Sequence, residues 1–189
     1  MISYLFRTGN FSITQESKTK IGEVLELEEV KRHLRIDPTY TEDDNYIEGL
    51  IPAAVTIAEN FIEKDIAKTL TELRIDDFQG DWIRINDGNF LSLYEVLNSS
   101  DVSIGTVYQT SKHNDFFQIE WTTSLSSDPI KIKYYTGFED GSVPAAIKQA
   151  ILIKIADLFD SARSNFSWDG MRDNKVFEAI LTPYKGIFF

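Results

Sequence analysis

The chain has 189 residues, 42% of them apolar, a formal net charge of −11 and no cysteine. This length and apolar share fit one folded domain rather than a disordered chain, and the missing thiols exclude disulfides, thiolate catalysis and cysteine zinc sites together. The acid excess argues against gripping nucleic acid over a wide surface, which needs clustered Lys and Arg; it fits plain solubility, or a path that DNA follows without sticking.

No run approaches the length of a membrane span, and no basic stretch followed by an apolar one opens the chain, so the expectation is a soluble protein that is not exported by a signal peptide. Within residues 1–22, Ile2, Tyr4 and Phe6 alternate with polar neighbours, and Phe11 and Ile13 do so after Thr8-Gly9-Asn10. That pattern predicts a hairpin turning at Gly9-Asn10. A lone hairpin is marginal in water, so this one pairs with something: it is an edge of its own domain or an arm that joins subunits.

Leu27, Val30 and Leu34 predict a short helix that Asp37-Pro38 ends. His33 has no second histidine near it and reads as a satisfied or surface side chain rather than a ligand. Thr41-Glu42-Asp43-Asp44 has capping-box spacing, which makes Asp43 and Asp44 first-turn acids rather than catalytic ones. Tyr46, Ile47, Leu50, Ile51, Ala54, Ala58, Phe61 and Ile62 then carry a helical stripe to about Lys64, and Pro52, with Gly49 nearby, predicts one kinked helix rather than two.

From Thr69 to Tyr135 the period becomes alternating. Strands are expected at Leu70–Ile75, Trp82–Ile85, Val102–Tyr108, Phe116–Thr122 and Ile130–Tyr135, on a sheet with one apolar and one wet face. Asn86-Asp87-Gly88-Asn89 and His113-Asn114-Asp115 supply turns. Phe90–Tyr94 reads as a strand or a linker, and Ser92–Ser103 as a loop. Asp76, Asp77, Asp81 and Asp87 fail the twelve-residue calcium pattern, because Ile83 and Ile85 stand where oxygen ligands belong; they read as turn residues. Trp82 and Trp121 could stack on sugar, but alternating aromatics are usually core.

The strongest helix follows Tyr134-Tyr135-Thr136-Gly137-Phe138, with Ser142 as expected N-cap and Pro144 in its first turn. Ile147, Ile151, Ile155, Leu158 and Ala162 form one stripe, widened by Leu152 and Phe159. Ile153 points the other way, beside Gln149, Ala156 and Asp160, so the helix is apolar on more than one side. Ile153 and Ala156 are therefore candidate contacts to a neighbouring subunit. Ser164–Asn174 is a polar linker with an exposed Trp168, and Lys175–Leu181 is a last short helix that Pro183 stops. The end, Gly186-Ile187-Phe188-Phe189, is apolar enough to dock on its own core or, the reading preferred here, on a partner.

Two stretches carry a resemblance. Leu27-Glu28-Glu29-Val30-Lys31-Arg32-His33-Leu34-Arg35-Ile36-Asp37, and Tyr135-Thr136-Gly137-Phe138 followed by Val143-Pro144-Ala145-Ala146-Ile147-Lys148-Gln149-Ala150-Ile151-Leu152, are similar to the head–tail connector family of tailed bacteriophages. Phe159, Asp160, Arg163 and Leu181-Thr182-Pro183-Tyr184-Lys185 continue the likeness. Arg163 lies one residue further from Phe159 than the family pattern, and Lys185 replaces its terminal arginine. The likeness covers residues 24–64 and 130–185, and the β module matches only loosely. It marks Tyr135, Gly137, Phe138, Pro144, Arg163, Pro183 and Tyr184 as structural motif positions. It implies a virion protein without enzymatic activity, forming a ring of about a dozen copies under the portal. Such a ring would extend the DNA channel, meet the next neck or tail protein, and let DNA pass without specific binding.

No phosphate loop, G-x-S-x-G, H-E-x-x-H or Cys/His pair is present, and no cofactor or metal is expected. The sequence thus reads as a single α+β domain: an arm or hairpin (1–22), helices (24–65), a β insertion (69–136), helices (142–185) and an apolar tail (186–189). The helical body is expected to be antiparallel, with the β module inserted into it and itself antiparallel. Two other readings stay open: a stopper or tail-completion protein of the same neck, and a monomeric β-type glycan-binding module using Trp82 and Trp121.

Overall fold

The structure, a computed structural model, describes residues 3–5, 12–104, 108–112, 116–127, 129–163 and 175–185. The expected turns at Gly9-Asn10 and His113-Asn114-Asp115, the linker 164–174 with Trp168, and the tail 186–189 lie outside them.

In chain order the elements are β1 (Ser3–Leu5), β2 (Ser12–Lys20), α1 (Leu27–His33), α2 (Asp44–Ile62), β3 (Thr69–Asp76), β4 (Phe78–Asn86), β5 (Phe90–Leu97), β6 (Tyr108–Lys112), β7 (Phe117–Ser127), β8 (Ile130–Thr136), α3 (Ala145–Arg163) and α4 (Lys175–Leu181), with a 3-10 turn at Thr182–Tyr184. The α+β class expected from the sequence is what forms.

The β residues build two antiparallel four-stranded sheets, β1-β4-β7-β6 and β2-β3-β8-β5, rather than the one sheet expected. Alternation drives this: Leu73 and Ile75, Ile83 and Ile85, Phe117 and Ile119, and Ile130, Ile132 and Tyr134 all face one shared core. Both sheets therefore have a dry inner face, and they pack as a sandwich. Phe90 stacks on Phe117 at 4.0 Å, Tyr134 lies 4.8 Å from Phe117, and Phe78 meets Trp121 at 5.1 Å.

Among the described residues, the two strands expected to form a hairpin within 1–22 do not pair with each other. Strand β1 pairs with β4 in one sheet, while β2 pairs with β3 along Ser12–Lys20 in the other. A two-stranded ribbon is marginal in water, and each strand gains more by extending a larger sheet. Strand β5 also runs on to Leu97, past the expected start of a loop at Ser92. Bulges between Phe90 and Ser92 and between Leu93 and Glu95 break its two-residue period, which hid it. Val102, expected in a strand, is instead 58% exposed in the turn after β5, where the Asn98 N–H donates to the Val102 carbonyl.

The helical body has its own core. Val30, Ile47, Ala54, Ala58 and Ile62 from α1 and α2 meet Ile147, Ile151 and Ile155 from α3 and Phe177 and Leu181 from α4. Helix α2 passes through Pro52 as one element. Neither expected N-cap forms. The first residue of α2 is Asp44, and its carboxylate takes the Lys31 ammonium at 2.8 Å. Ser142 donates its hydroxyl to the Glu139 carbonyl at 2.6 Å and so closes the turn before α3. Lys31 is buried, yet its three donors are all used, on the carbonyls of Pro38 (3.1 Å) and Tyr40 (2.6 Å) and on Asp44. It fixes the corner between α1 and α2, because a buried ammonium is tolerated only when fully paired.

Candidate functional site at the waist

Three chain segments cross between the helices and the sandwich, near residues 21–22, 66–68 and 137–138. The Ile21 and Gly22 N–H groups donate to the Lys68 carbonyl (2.8 and 3.1 Å), and the Phe138 N–H donates to that of Ile66 (3.1 Å). Gly137 sits at φ +92°, where any Cβ would collide with the Ala67 carbonyl, while its N–H reaches the Asn89 carbonyl at 2.9 Å. The Tyr-Thr-Gly-Phe motif thus has a physical reason: only glycine allows this crossing to lie against its neighbour.

Around the crossing lies a polar cluster. Glu59, near the end of α2, accepts the Ile66 and Ala67 N–H groups at 2.9 and 3.1 Å, and it pairs with Lys20, which also donates to Thr56 at 3.1 Å. Asp65 accepts the Thr136 hydroxyl at 2.6 Å and pairs with Lys18 at 2.6 Å. Asp87 accepts the Tyr134 hydroxyl at 2.9 Å. Burial pushes the Asp87 carboxyl above the usual carboxylate range; Lys18 and the Tyr134 hydroxyl pull it back, and nearby Asp65 adds to the rise. For Lys18 burial acts downward, but Asp87, Asp65 and Glu59 outweigh it and hold the ammonium above the usual lysine value. A cavity of about 410 Å³ opens here, lined by Lys18, Lys20, Glu59, Asp65, Asn86 and Asp87 among others. Among the described residues no group of His, Asp and Glu is placed to hold a metal ion.

The sequence-predicted positions are spread over the fold. Gly137 and Phe138 lie at the waist. Tyr135 points outward from it, edge-on to Tyr94 at 5.5 Å and under the Lys68 ammonium at 5.2 Å. Pro144, Pro183 and Tyr184 serve the helices: Pro144 precedes α3 and accepts the Lys148 N–H, Pro183 lies in the 3-10 turn, and Tyr184 packs on the helical core. Arg163 is the last residue of α3. Ile153 and Ala156 are partly buried and stand outside the core cluster, on a side of α3 away from Ile147, Ile151 and Ile155. Trp168, Ile187, Phe188 and Phe189 lie outside the described residues.

Two outcomes correct the sequence reading. Trp121 is buried at 3% exposure, and its β7 neighbour Glu120 is the residue opposite Trp82, so the two tryptophans sit on opposite faces of their sheet and cannot share a sugar platform. Asp87, read as a turn residue, is a buried member of the waist cluster. Glu59 and Asp65 carried no sequence signal at all, since each looks like an ordinary acid near a helix end. Exposed Tyr94 (54%), Ile21 (52%) and Val176 (54%) also add apolar surface that periodicity did not mark.

Comparison with known proteins gives the family. The model of the phage gp6-like head-tail connector protein family matches residues 24–134, more than half of the chain, and includes the β strands from β3 to most of β8. Among solved structures, the chain resembles one in the neck of an empty gene transfer agent (GTA) particle computed with C6 symmetry. The TM-score is 0.71 at 14% identity, over 92% of this chain and 97% of that one. A chain in the virion of the native GTA particle gives 0.69 at 14% identity over 91% and 96%. A chain in the neck of the native particle computed with C12 symmetry gives 0.64 at 13% identity over 92% and 97%. No curated protein matches. At these identities the solved structures establish the shared fold, helices and sandwich together; the match over residues 24–134 establishes the family, and the chain belongs to the phage gp6-like head-tail connector family.

Proposed function

We propose that this protein is a structural component of the head–tail neck of a phage or phage-like particle, assembling as a ring that lengthens the DNA channel. The observation that carries this reading is the connector-family match over residues 24–134, joined to a fold shared with neck proteins over nearly the whole chain. A connector works by shape and by contact surfaces rather than by bond-making chemistry.

The ring would have about a dozen copies, seated on the portal on one side and on the next neck or tail component on the other. The partly buried side of α3 at Ile153 and Ala156 supports a contact between copies, because its apolar surface is left over from the helical core. Trp168 and the apolar end Ile187-Phe188-Phe189 are further contact candidates on sequence grounds. With −11 on each copy, acids turned to the lumen would keep DNA sliding without adhesion.

Mixing the protein with its cognate portal and imaging by electron microscopy tests this. The expected result is a portal with an added ring of density. Failure to bind the portal, together with binding to an isolated tail terminator, would move the protein to another level of the neck.

A further inference from the structure

Among the described residues, no side chain belongs to both hydrophobic cores: the helical cluster and the sandwich cluster are separate. What joins them is the laced three-segment ribbon at the waist, touched by the β4–β5 turn, where the Asn89 amide donates to the Asp65 carbonyl at 2.9 Å and Gly88 lies against the Lys64 side chain. Such a ribbon resists sliding of its segments but bends out of its own plane at low cost, so something else must hold the angle between the two bodies. Small polar junctions leave relative motion as the default.

The register identifies that element. Lys20 stands opposite Thr69 and Lys18 opposite Thr71, so both lysines lie on the same side of the ribbon as Thr136 and Tyr134. Strand β2 belongs to the sandwich, yet its lysines reach out of it: Lys20 to Glu59 and Thr56 of α2, Lys18 to Asp65 in the segment after α2. On the opposite side Lys68 pairs with Glu139 at 2.6 Å and covers Tyr135. The cavity of about 410 Å³ beside the two lysines leaves space for the bodies to tilt toward each other.

We propose that Lys18 and Lys20 brace the waist and set the angle between the helical body and the sandwich, so that releasing them lets the sandwich swing about the ribbon while both cores stay folded. The lysine side chains are 30% and 41% exposed, whereas Asp65 and Glu59 are 9% and 8% exposed. Water and salt therefore reach one end of each pair. The brace weakens as the screening length falls from about 10 Å at 0.1 M salt to about 3 Å at 1 M. Glu63 and Lys64, which also line the cavity, feel the same screening, and buried Asp87 feels it less. For a connector, the angle would decide where the sandwich sits relative to whatever the helices hold.

The absence of cysteine makes a distance measurement direct. Spin labels placed through Glu120→Cys on β7 and Glu178→Cys on α4, both exposed, report the separation of the two bodies. Labelled chains diluted with unlabelled ones exclude signals between copies. The parent should give one narrow distance, Lys18→Met with Lys20→Met a shifted and wider one, and Lys20→Arg the parent's. Amide protection of β8 and α3 should be unchanged in all three. An unchanged distance in the double variant, with both cores protected, overturns the proposal. Should that variant unfold, raising the salt of the parent from about 0.1 M to about 1 M decides instead: a shift supports the brace and a constant distance sinks it. Both readouts use the isolated chain and are independent of portal binding.

Discussion

In the helical body, buried aliphatic residues come from segments on both sides of the β insertion, with Ile47, Ala54 and Ile62 before it and Ile147, Ile151 and Ile155 after it. In the sandwich the centre is aromatic, and the rings of Phe90, Phe117 and Tyr134 stand within 4.0–6.3 Å of one another. Among the described residues, the buried side-chain polar atoms without a hydrogen-bond partner, Thr71 Oγ1 and Trp121 Nε1, both lie in the sandwich. The contrast is one of degree: aliphatic side chains fill most of both cores, but the buried rings of the helical body, Phe159 and Phe177, pair with more exposed rings, whereas in the sandwich three buried rings meet one another.

Mutations can break or sharpen this contrast. The largest effect is expected from Phe117→Ala, which removes the ring at the centre of the aromatic cluster and should cost about 3–5 kcal/mol in denaturant unfolding. Ile151→Ala in the helical body should cost about 2–5 kcal/mol, toward the low end if the aliphatic neighbours relax. Lys31→Ala should cost about 3 kcal/mol, since it strands the Asp44 carboxylate and two carbonyls at the α1–α2 corner. Amide exchange should localise that loss to residues 34–46, leaving the strands protected. Gly137→Ala, which forces a side chain into a left-handed position against the Ala67 carbonyl, should cost at least about 1–3 kcal/mol. Thr71→Val is expected to be neutral or stabilising by up to about 1 kcal/mol, because it deletes a hydroxyl without a partner.

The smallest effect concerns pH. With its carboxyl raised, Asp87 binds its proton more readily in the folded state than in the unfolded one. Its contribution is therefore complete below the ordinary carboxylate range and fades as pH rises through the raised value. Unfolding of the protein and of Asp87→Asn, compared across pH 4–8, should show the parent gaining on the variant as the solution is acidified. Lys18, held above its ordinary value, contributes stability below the usual lysine range and loses it as pH rises past the raised one.

Periodicity made the helices legible. The stripes through Ile47 and Ala54 and through Ile147 and Ile151 are long, and nothing competes with them. The strands were legible where alternation was unbroken, as at Ile130–Tyr134, and lost where bulges shifted it, as in β5. The pairing of β1 and β2 was out of reach, since two short alternating runs next to a Gly-Asn read as a hairpin unless longer partners are known. The waist was half visible. Tyr135, Gly137 and Phe138 stood out as a motif, but the carboxylates packed round them come from Glu59, Asp65 and Asp87, and only the folded chain brings these together. Capping sequences at Thr41 and Ser142 misled for different reasons: Asp44 pairs with Lys31 from α1, whereas the Ser142 hydroxyl closes a local turn on the Glu139 carbonyl before α3 begins.

Strands β3 to β8 lie between α2 and α3 in the chain, after β1 and β2 have already been made, and this order bears on how the chain is made. As it leaves the ribosome, α2 presents Ile47, Ala54, Val55 and Ala58 long before α3 exists to cover them. The sandwich can close once Thr136 has emerged, yet the helical face must wait for residues 145–163. Any product ending between these points would display a sticky helix beside a finished β body, the kind of surface on which nascent chains aggregate.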